Sequence, residues 1–224
     1  MLSTVLSGNF SVVNVIVYML SSLAVIFLTL PIHEFAHGYA ATRLGDWTTR
    51  YQRRLTLNPF AHIDYLGAAC ILLFGFGWAK PVQVNSANFK NPKRDMAITA
   101  LAGPLANIVL ALAVMIISNA LSLFLNLNSY ILLYIYWFFI YIVQINISLA
   151  VFNLIPIPPL DGSRLLSAFL PTRHYYALMR YERYFTIIIF ALIWVGVLDV
   201  PLDFLTSAIY RGVSYLAALP FSFF

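Results

Sequence analysis

Long apolar runs separate the short segments in which this chain collects its polar and charged residues. A helix needs about 20 apolar residues to cross a bilayer, and several runs are of that order. These runs cover 12–30, 95–125, 129–155, 184–200 and 204–224. The last run is interrupted by Arg211 and Pro220, so it either spans the membrane or lies at its interface. The pattern predicts an all-α polytopic membrane protein with four to six membrane segments.

A shorter apolar run, 63–78, has sixteen residues and contains three glycines. The segment after it carries four positive charges, which would lie outside the cell if the run crossed the membrane, against the positive-inside rule. We therefore predict a re-entrant or partly inserted segment with non-helical backbone. Residues 49–57 and 81–85 are rich in β-formers or alternate in polarity. They predict short β-strands near the cytoplasmic face.

The composition supports membrane insertion and excludes a nucleic-acid partner. The 224-residue chain is 62% hydrophobic and 9% charged, whereas a soluble domain carries about 25% charged residues. The net charge of +5 is explained by membrane topology, since no soluble module clusters lysine and arginine. We expect one membrane-embedded domain, 1–224, without an appended soluble domain. The sequence does not indicate an oligomeric state.

The chemistry concentrates at the end of the first apolar run, in the H-E-x-x-H motif of His33, Glu34 and His37. The helical pattern continues from 12–30 through this motif to about Leu44. In a helix, the two histidines lie one turn apart on one face and can ligate one zinc ion. Glu34 lies beside them, where a general base for a metal-activated water belongs. Ionisable groups in an apolar segment are costly, which favours a functional interpretation.

A catalytic zinc requires a third protein ligand, and the sequence offers three candidates. The 129–155 run ends in a stretch with three prolines that cannot continue a helix, followed directly by Asp161. Topology returns this end to the side of the membrane where His33 and His37 lie, which favours Asp161. His62 and Asp64 are the rivals because they lie near the same face.

Two separated motifs resemble the site-2 protease family of intramembrane zinc metalloproteases. They are the H-E-x-x-H motif and the stretch 153–162, Asn-Leu-Ile-Pro-Ile-Pro-Pro-Leu-Asp-Gly. The Gly103-Pro104-x-x-Asn107 element and segments 57–64 and 77–82 resemble the family as well. The resemblance covers about 20–170 and matches the small form without a PDZ or CBS domain.

The resemblance implies a reaction and a role for each site residue. His33, His37 and Asp161 would bind one Zn²⁺ per chain, Glu34 would be the general base, and Asn153 would bind the substrate carbonyl or the developing oxyanion. The substrate would be a transmembrane protein, cleaved within or next to its membrane helix. The protease core would be about 12–170, with extra C-terminal membrane segments in 184–224. Asn107 and Gly103 are interpreted as packing residues.

The arginines after the first span predict a topology. The motif is followed closely by four arginines, Arg43, Arg50, Arg53 and Arg54. We therefore expect the end of the helix that carries the motif to lie in the cytoplasm. The expected location is therefore the cell membrane, with the active site inside the bilayer near its cytoplasmic side. The alternative function is a non-proteolytic membrane protein of the same fold that binds membrane partners. An ion transporter is a third hypothesis, but transporters usually carry polar groups along several spans.

Overall fold

A computed structural model describes residues 12–74, 77–124, 129–171, 173 and 180–222. Within these ranges the secondary structure is helical, without a strand. His174 and the N-terminal residues 1–11 lie outside the described residues. The predicted all-α class is therefore confirmed for the part of the chain that the structure describes.

Nine α-helices are described, numbered here in chain order. They are α1 (Val12–Ala24), α2 (Leu30–Leu44), α3 (Thr48–Tyr51), α4 (Tyr65–Phe74), α5 (Pro92–Phe124), α6 (Tyr130–Asn153), α7 (Asp161–Phe169), α8 (Glu182–Trp194) and α9 (Asp199–Ala218). A π-helical turn, Val25–Thr29, joins α1 to α2 without a break. Gly45 ends α2 in the left-handed conformation, with φ of 111°, which glycine adopts without steric cost.

Three of the described helical stretches are long and apolar enough to cross a membrane: Val12–Leu44, Pro92–Leu123 and Tyr130–Asn153. The first three predicted spans, 12–30, 95–125 and 129–155, thus lie largely in these helices, and the chain is a multi-pass membrane protein. The described candidates number three rather than the predicted four to six. The predicted span 184–200 is not among them, because α8 has thirteen residues and a length of about 20 Å, which is shorter than a bilayer core of about 30 Å.

Helix α5 is the centre of the packing. It lies against α2, α6, α7 and α9, and therefore touches both the helix with the H-E-x-x-H motif and the helix that Asp161 begins. One apolar cluster joins α1, the π-helical turn and α2 to α6 around Val25, Ile71 and Leu149. A second cluster joins α5 and α6 to α9 around Ala111, Ile147 and Ala217. The H-E-x-x-H motif and Asp161 thus belong to one packed bundle of helices.

The predicted strands are wrong. Thr48–Tyr51 is a single helical turn, and 81–85 carries no regular secondary structure. The turn forms because Asp46 Oδ1 accepts a hydrogen bond from the Thr48 backbone N–H at 3.1 Å. That contact satisfies a donor at the helix start, where aspartate is favoured. Strand propensity in this stretch is overridden, since the described residues supply no neighbouring strand.

The structure does not support a re-entrant segment of non-helical backbone at 63–78. Residues Tyr65–Phe74 form an α-helix, which Asp64 starts by accepting a hydrogen bond from the Gly67 N–H at 2.8 Å. The backbone at Trp78 packs against this helix at Gly67. A Cβ atom at Gly67 would lie 2.0 Å from the Trp78 carbonyl oxygen. This backbone contact requires glycine.

Candidate metal centre and active site

Two imidazoles of α2 face each other in the interior of the bundle. His33 and His37 are buried at 4% exposure each. Their Nε2 atoms lie 3.0 Å apart, as expected for residues one turn apart on one helix face. The motif is therefore directed toward the protein interior and not toward lipid.

Asp161 completes this cluster from the start of α7. Its Oδ2 atom lies 3.0 Å from His37 Nε2 and 3.3 Å from His33 Nε2. The proline-rich turn after α6 brings the two helix ends close together, because a Cβ atom at Gly162 would lie 2.3 Å from the Leu154 carbonyl oxygen. The glycine thus lets α7 begin beside the end of α6, where Asp161 reaches the histidines.

Contacts from α5 orient both imidazoles. His37 Nδ1 donates a hydrogen bond to the Thr99 carbonyl oxygen at 2.7 Å. His33 Nδ1 lies 3.3 Å from Asn107 Oδ1 and donates to it in the same sense. With both Nδ1 atoms engaged as donors, the two Nε2 atoms present their lone pairs to the cluster.

The three side chains fit a zinc ion. Two imidazole nitrogens and one carboxylate oxygen lie within 4.8 Å of one another. None of these three atoms carries a hydrogen in the arrangement described above, so each has a lone pair that can bind a metal. Because Zn–N and Zn–O bonds are about 2.0–2.2 Å long, two ligand atoms of a tetrahedral zinc lie about 3.3 Å apart. The observed separations of 3.0–3.3 Å agree with that value. Two histidines and one carboxylate are an ordinary catalytic zinc set.

Glu34 lies at a cavity beside the three ligands. Its Oε2 atom accepts a hydrogen bond from the Val82 backbone N–H at 2.8 Å, and the side chain is buried. The cavity has a volume of about 130 Å³. Its walls include His33, Glu34 and Asp161, and also Asn153 at the end of α6. The side chain of Asn153 forms no hydrogen bond with the residues that the structure describes, so it does not cap the helix.

The two rivals for the third ligand position lie elsewhere. His62 is fully buried, but its Nε2 atom donates to the Thr56 carbonyl oxygen at 2.9 Å. Asp64 starts α4. Within the described ranges, the cluster of His33, His37 and Asp161 is the one group of histidine, cysteine and acidic side chains arranged to hold a metal.

Sequence reasoning missed the hydrogen bonds that α5 gives to the histidines. The interpretation of Gly103 as a packing residue agrees with the structure, since a Cβ atom there would lie 2.3 Å from His37 Nε2, but Asn107 also contacts His33. The spacing contained the information, since Thr99, Gly103 and Asn107 recur every four residues and share one helix face. The Val82 N–H left no trace in the sequence, because any residue other than proline supplies one.

A bundle of apolar helices with two histidines and one aspartate grouped so that they could hold a metal ion, beside a glutamate, is typical of a membrane metalloprotease of the H-E-x-x-H type. The sequence profile described as Peptidase family M50 matches residues 21–196. The chain therefore belongs to peptidase family M50, the site-2 protease family, as its motifs predicted, and zinc is its cofactor.

Comparison with curated proteins agrees. "Putative zinc metalloprotease YwhC" of Bacillus subtilis is 35% identical over 161 residues, which are 69% of this chain and 73% of the relative. Rip2 of Mycolicibacterium smegmatis, similarly described, is 29% identical over 60% of this chain and 51% of its own length. MJ0611 of Methanocaldococcus jannaschii is 32% identical over 60% of this chain and 62% of its own length. No solved structure gave a significant match.

Proposed function

We propose that the protein hydrolyses peptide bonds within or next to the transmembrane helices of other membrane proteins. The main support is the position of the metal cluster. Its two histidines belong to a helix that is long and apolar enough to cross the bilayer, and they are almost fully buried. Ionisable groups at such a depth are retained for function. Water-soluble substrates have no direct route to this depth, whereas a membrane helix is already there.

In this proposal, His33, His37 and Asp161 hold the zinc ion. Thr99 and Asn107 fix the orientation of the two imidazoles through the hydrogen bonds described above. When bound, zinc supplies Lewis-acid polarisation of the scissile carbonyl and lowers the pKa of a nearby water. The chain's own side chains supply the proton transfer and the remaining charge stabilisation.

Glu34 is the proposed general base. It would take a proton from the attacking water and deliver it to the leaving amine. The Val82 N–H holds one carboxylate oxygen in place and so limits the orientations of the side chain. Asn153 lines the same cavity and would donate its amide N–H to the oxygen on which negative charge develops.

The hydrogen bonding of a helix supports cleavage of an unwound segment. A substrate helix would keep its carbonyl groups in internal hydrogen bonds between residues four apart, which makes them poor targets for the attacking water. The scissile bond would therefore enter in an extended conformation after local unwinding.

The distribution of positive charge supports an active site near the cytoplasmic surface. Apart from Arg211, every lysine and arginine lies in segments 43–94 and 164–183. These segments lie on one side of the membrane if the three described spans cross it in succession. The positive-inside rule assigns that side to the cytoplasm. The two histidines of the metal cluster belong to the half of their helix that ends on this same side, and Asp161 follows the end of α6 there.

Cleavage of a reporter tests this function. Purified protein in detergent is mixed with a panel of single-span membrane segments, each with a fluorescent tag at both ends, and the fragments are sized by gel. We expect wild-type protein to cut at least one segment inside its apolar stretch. Glu34→Gln should keep its zinc and lose at least 99% of the activity. Cleavage by Glu34→Gln at the wild-type rate would refute the role of the base, and cutting restricted to soluble tails would refute the intramembrane assignment.

A further inference from the structure

One segment links the site to the end of the motif helix. Residues 77–88, here called the strap, lie between α4 and α5 in the chain. The structure describes the strap from residue 77 onward. Gly77, Trp78, Ala79 and Pro81 line the cavity, and Val82 donates its N–H to Glu34. The strap is therefore both a wall of the cavity and the partner of the proposed base.

The strap is held at its first half by backbone contacts. The Lys80 N–H donates to the His62 carbonyl oxygen at 2.7 Å, and Val82 is almost fully buried at 2% exposure. Because 81–85 belongs to no sheet, no ladder of strand hydrogen bonds fixes its position. The second half therefore depends on side chains.

Thr49 and Gln52 contact the middle of this second half through hydrogen bonds to Gln83, and its end is held by Asp46. Asp46 is fully buried and follows Gly45, the residue that ends α2. Its Oδ2 accepts the Asn85 backbone N–H at 2.7 Å, and its Oδ1 accepts the Asn88 side-chain amide at 2.7 Å. Burial alone would raise the pKa of Asp46, but the hydrogen bonds from Thr48, Asn88 and Asn85 outweigh it and lower the pKa. The carboxylate is therefore ionised at neutral pH, when charge-assisted hydrogen bonds are strong.

The two attachments of the strap to α2 are close in sequence. Val82 contacts Glu34 within the helix, and Asn85 contacts Asp46 just beyond its end. Asn85 follows Val82 by three positions, a link of about 10 Å when extended. Such a short link transmits the position of Asn85 to the Val82 N–H.

We propose that Asp46 is a positioning residue of the active site. It clamps the strap to the end of α2 so that the Val82 N–H stays on Glu34 and the cavity wall keeps its shape. The effect on catalysis rests on the proposed function, because it requires Glu34 to act as base. The clamp itself does not depend on that function.

Four variants separate the clamp from general stability. Asp46→Ala removes both contacts to the strap, Asp46→Asn keeps one acceptor oxygen, and Asn88→Ala removes one contact while leaving Asp46 in place. Thr48→Val is the control, because it removes the Thr48 hydroxyl contacts to the same carboxylate and to Asn88 but leaves both hydrogen bonds from the strap to Asp46.

The measurements are amide hydrogen exchange and zinc content of the full-length, zinc-loaded protein in detergent. In Asp46→Ala, exchange of the amides at 82–85 should rise at least tenfold, including that of Val82, which Asp46 does not touch. Asp46→Asn and Asn88→Ala should lie between this variant and Thr48→Val. Zinc content should remain at the wild-type value, because no metal ligand contacts the strap through Asp46.

For a reporter that wild-type protein cleaves, kcat should fall at least tenfold in Asp46→Ala and less than twofold in Thr48→Val. Unchanged exchange at Val82 in Asp46→Ala would overturn the proposal. An equal rise in exchange along α5 would also overturn it, since that indicates a purely structural role. If wild-type protein cleaves no reporter, the exchange result still decides whether the clamp exists, and only the proposed function fails.

Discussion

Replacing Gly103 with alanine should expel the metal while leaving the fold intact. Gly103 lies on α5 with its Cα directed at the two imidazoles. A Cβ atom there would lie 2.3 Å from His37 Nε2 and 2.6 Å from His33 Cε1. Because carbon atoms in contact are about 3.5–4.0 Å apart, each imidazole would have to move by about 1 Å.

A displacement of that size is large for a zinc site. Functional ligand distances hold within about 0.2 Å, so moving His37 Nε2 by about 1 Å breaks its bond to the metal. We expect zinc affinity to fall at least 100-fold, which corresponds to about 2.7 kcal/mol. The helix itself should not weaken, because alanine is favoured over glycine inside helices by about 1 kcal/mol.

The assay is zinc content after dialysis against buffers of fixed free zinc, measured by mass spectrometry, with circular dichroism as the check on folding. Gly212→Ala is the matched control, because Gly212 is also helical and a Cβ atom there meets nothing within 4 Å. It should bind zinc like wild-type protein. Wild-type zinc affinity in Gly103→Ala, with a normal helical spectrum, would refute the geometry assigned to the two imidazoles.

Three further predictions concern the surroundings of the metal. Asn107→Ala should weaken zinc binding about 10- to 100-fold, as removal of a histidine's outer partner does elsewhere; an unchanged dissociation constant would contradict the orienting role. Asn153→Ala should keep zinc and lower kcat about 10²- to 10³-fold, and a loss of zinc instead would make Asn153 a ligand neighbour. Asp46→Asn should reduce the free energy of unfolding at pH 7, by an amount that becomes smaller as pH falls below about 3.9. The folded-state pKa of Asp46 is lowered, so its stabilisation is complete above the unfolded pKa of about 3.9 and is lost as pH falls through the folded value. A constant difference from pH 7 to pH 3, in detergent melts, would refute this.

The three described membrane helices and the grouping of the two histidines with Asp161 were accessible from sequence for physical reasons, whereas zinc binding by these three residues stays a prediction. Hydropathy located the three described spans because apolar length is what a bilayer requires. His33 and His37 had to share a helix face, because four residues make about one turn. Asp161 was favoured over His62 and Asp64 from topology, and the structure brings it to the histidines.

The errors came from aspartate side chains whose hydrogen bonds with nearby backbone N–H groups were not recognised. The stretch after Asp46 has the composition of a strand, but the Asp46 carboxylate satisfies the Thr48 N–H and starts a helical turn. Asp64 does the same for Gly67 and α4. Both are short-range signals of the kind that aspartate gives at helix starts, and they outweighed β-propensity and the glycines.

Other features needed the tertiary structure. The contact between the Val82 N–H and Glu34 joins residues 48 positions apart, and backbone groups carry no sequence identity. The contact of Asn88 with Asp46 joins two polar residues that could equally face water. Neither pairing follows from periodicity or composition.

The most direct test of the metal centre is the zinc content of detergent-purified wild-type protein beside Asp161→Ala. Asp64→Asn serves as the control, because it changes a carboxylate that starts α4 and lies outside the cluster. The three-ligand site predicts about one zinc per wild-type and Asp64→Asn chain, and a loss of at least 90% in Asp161→Ala. Full zinc in Asp161→Ala would remove Asp161 from the ligand set and contradict the site as described.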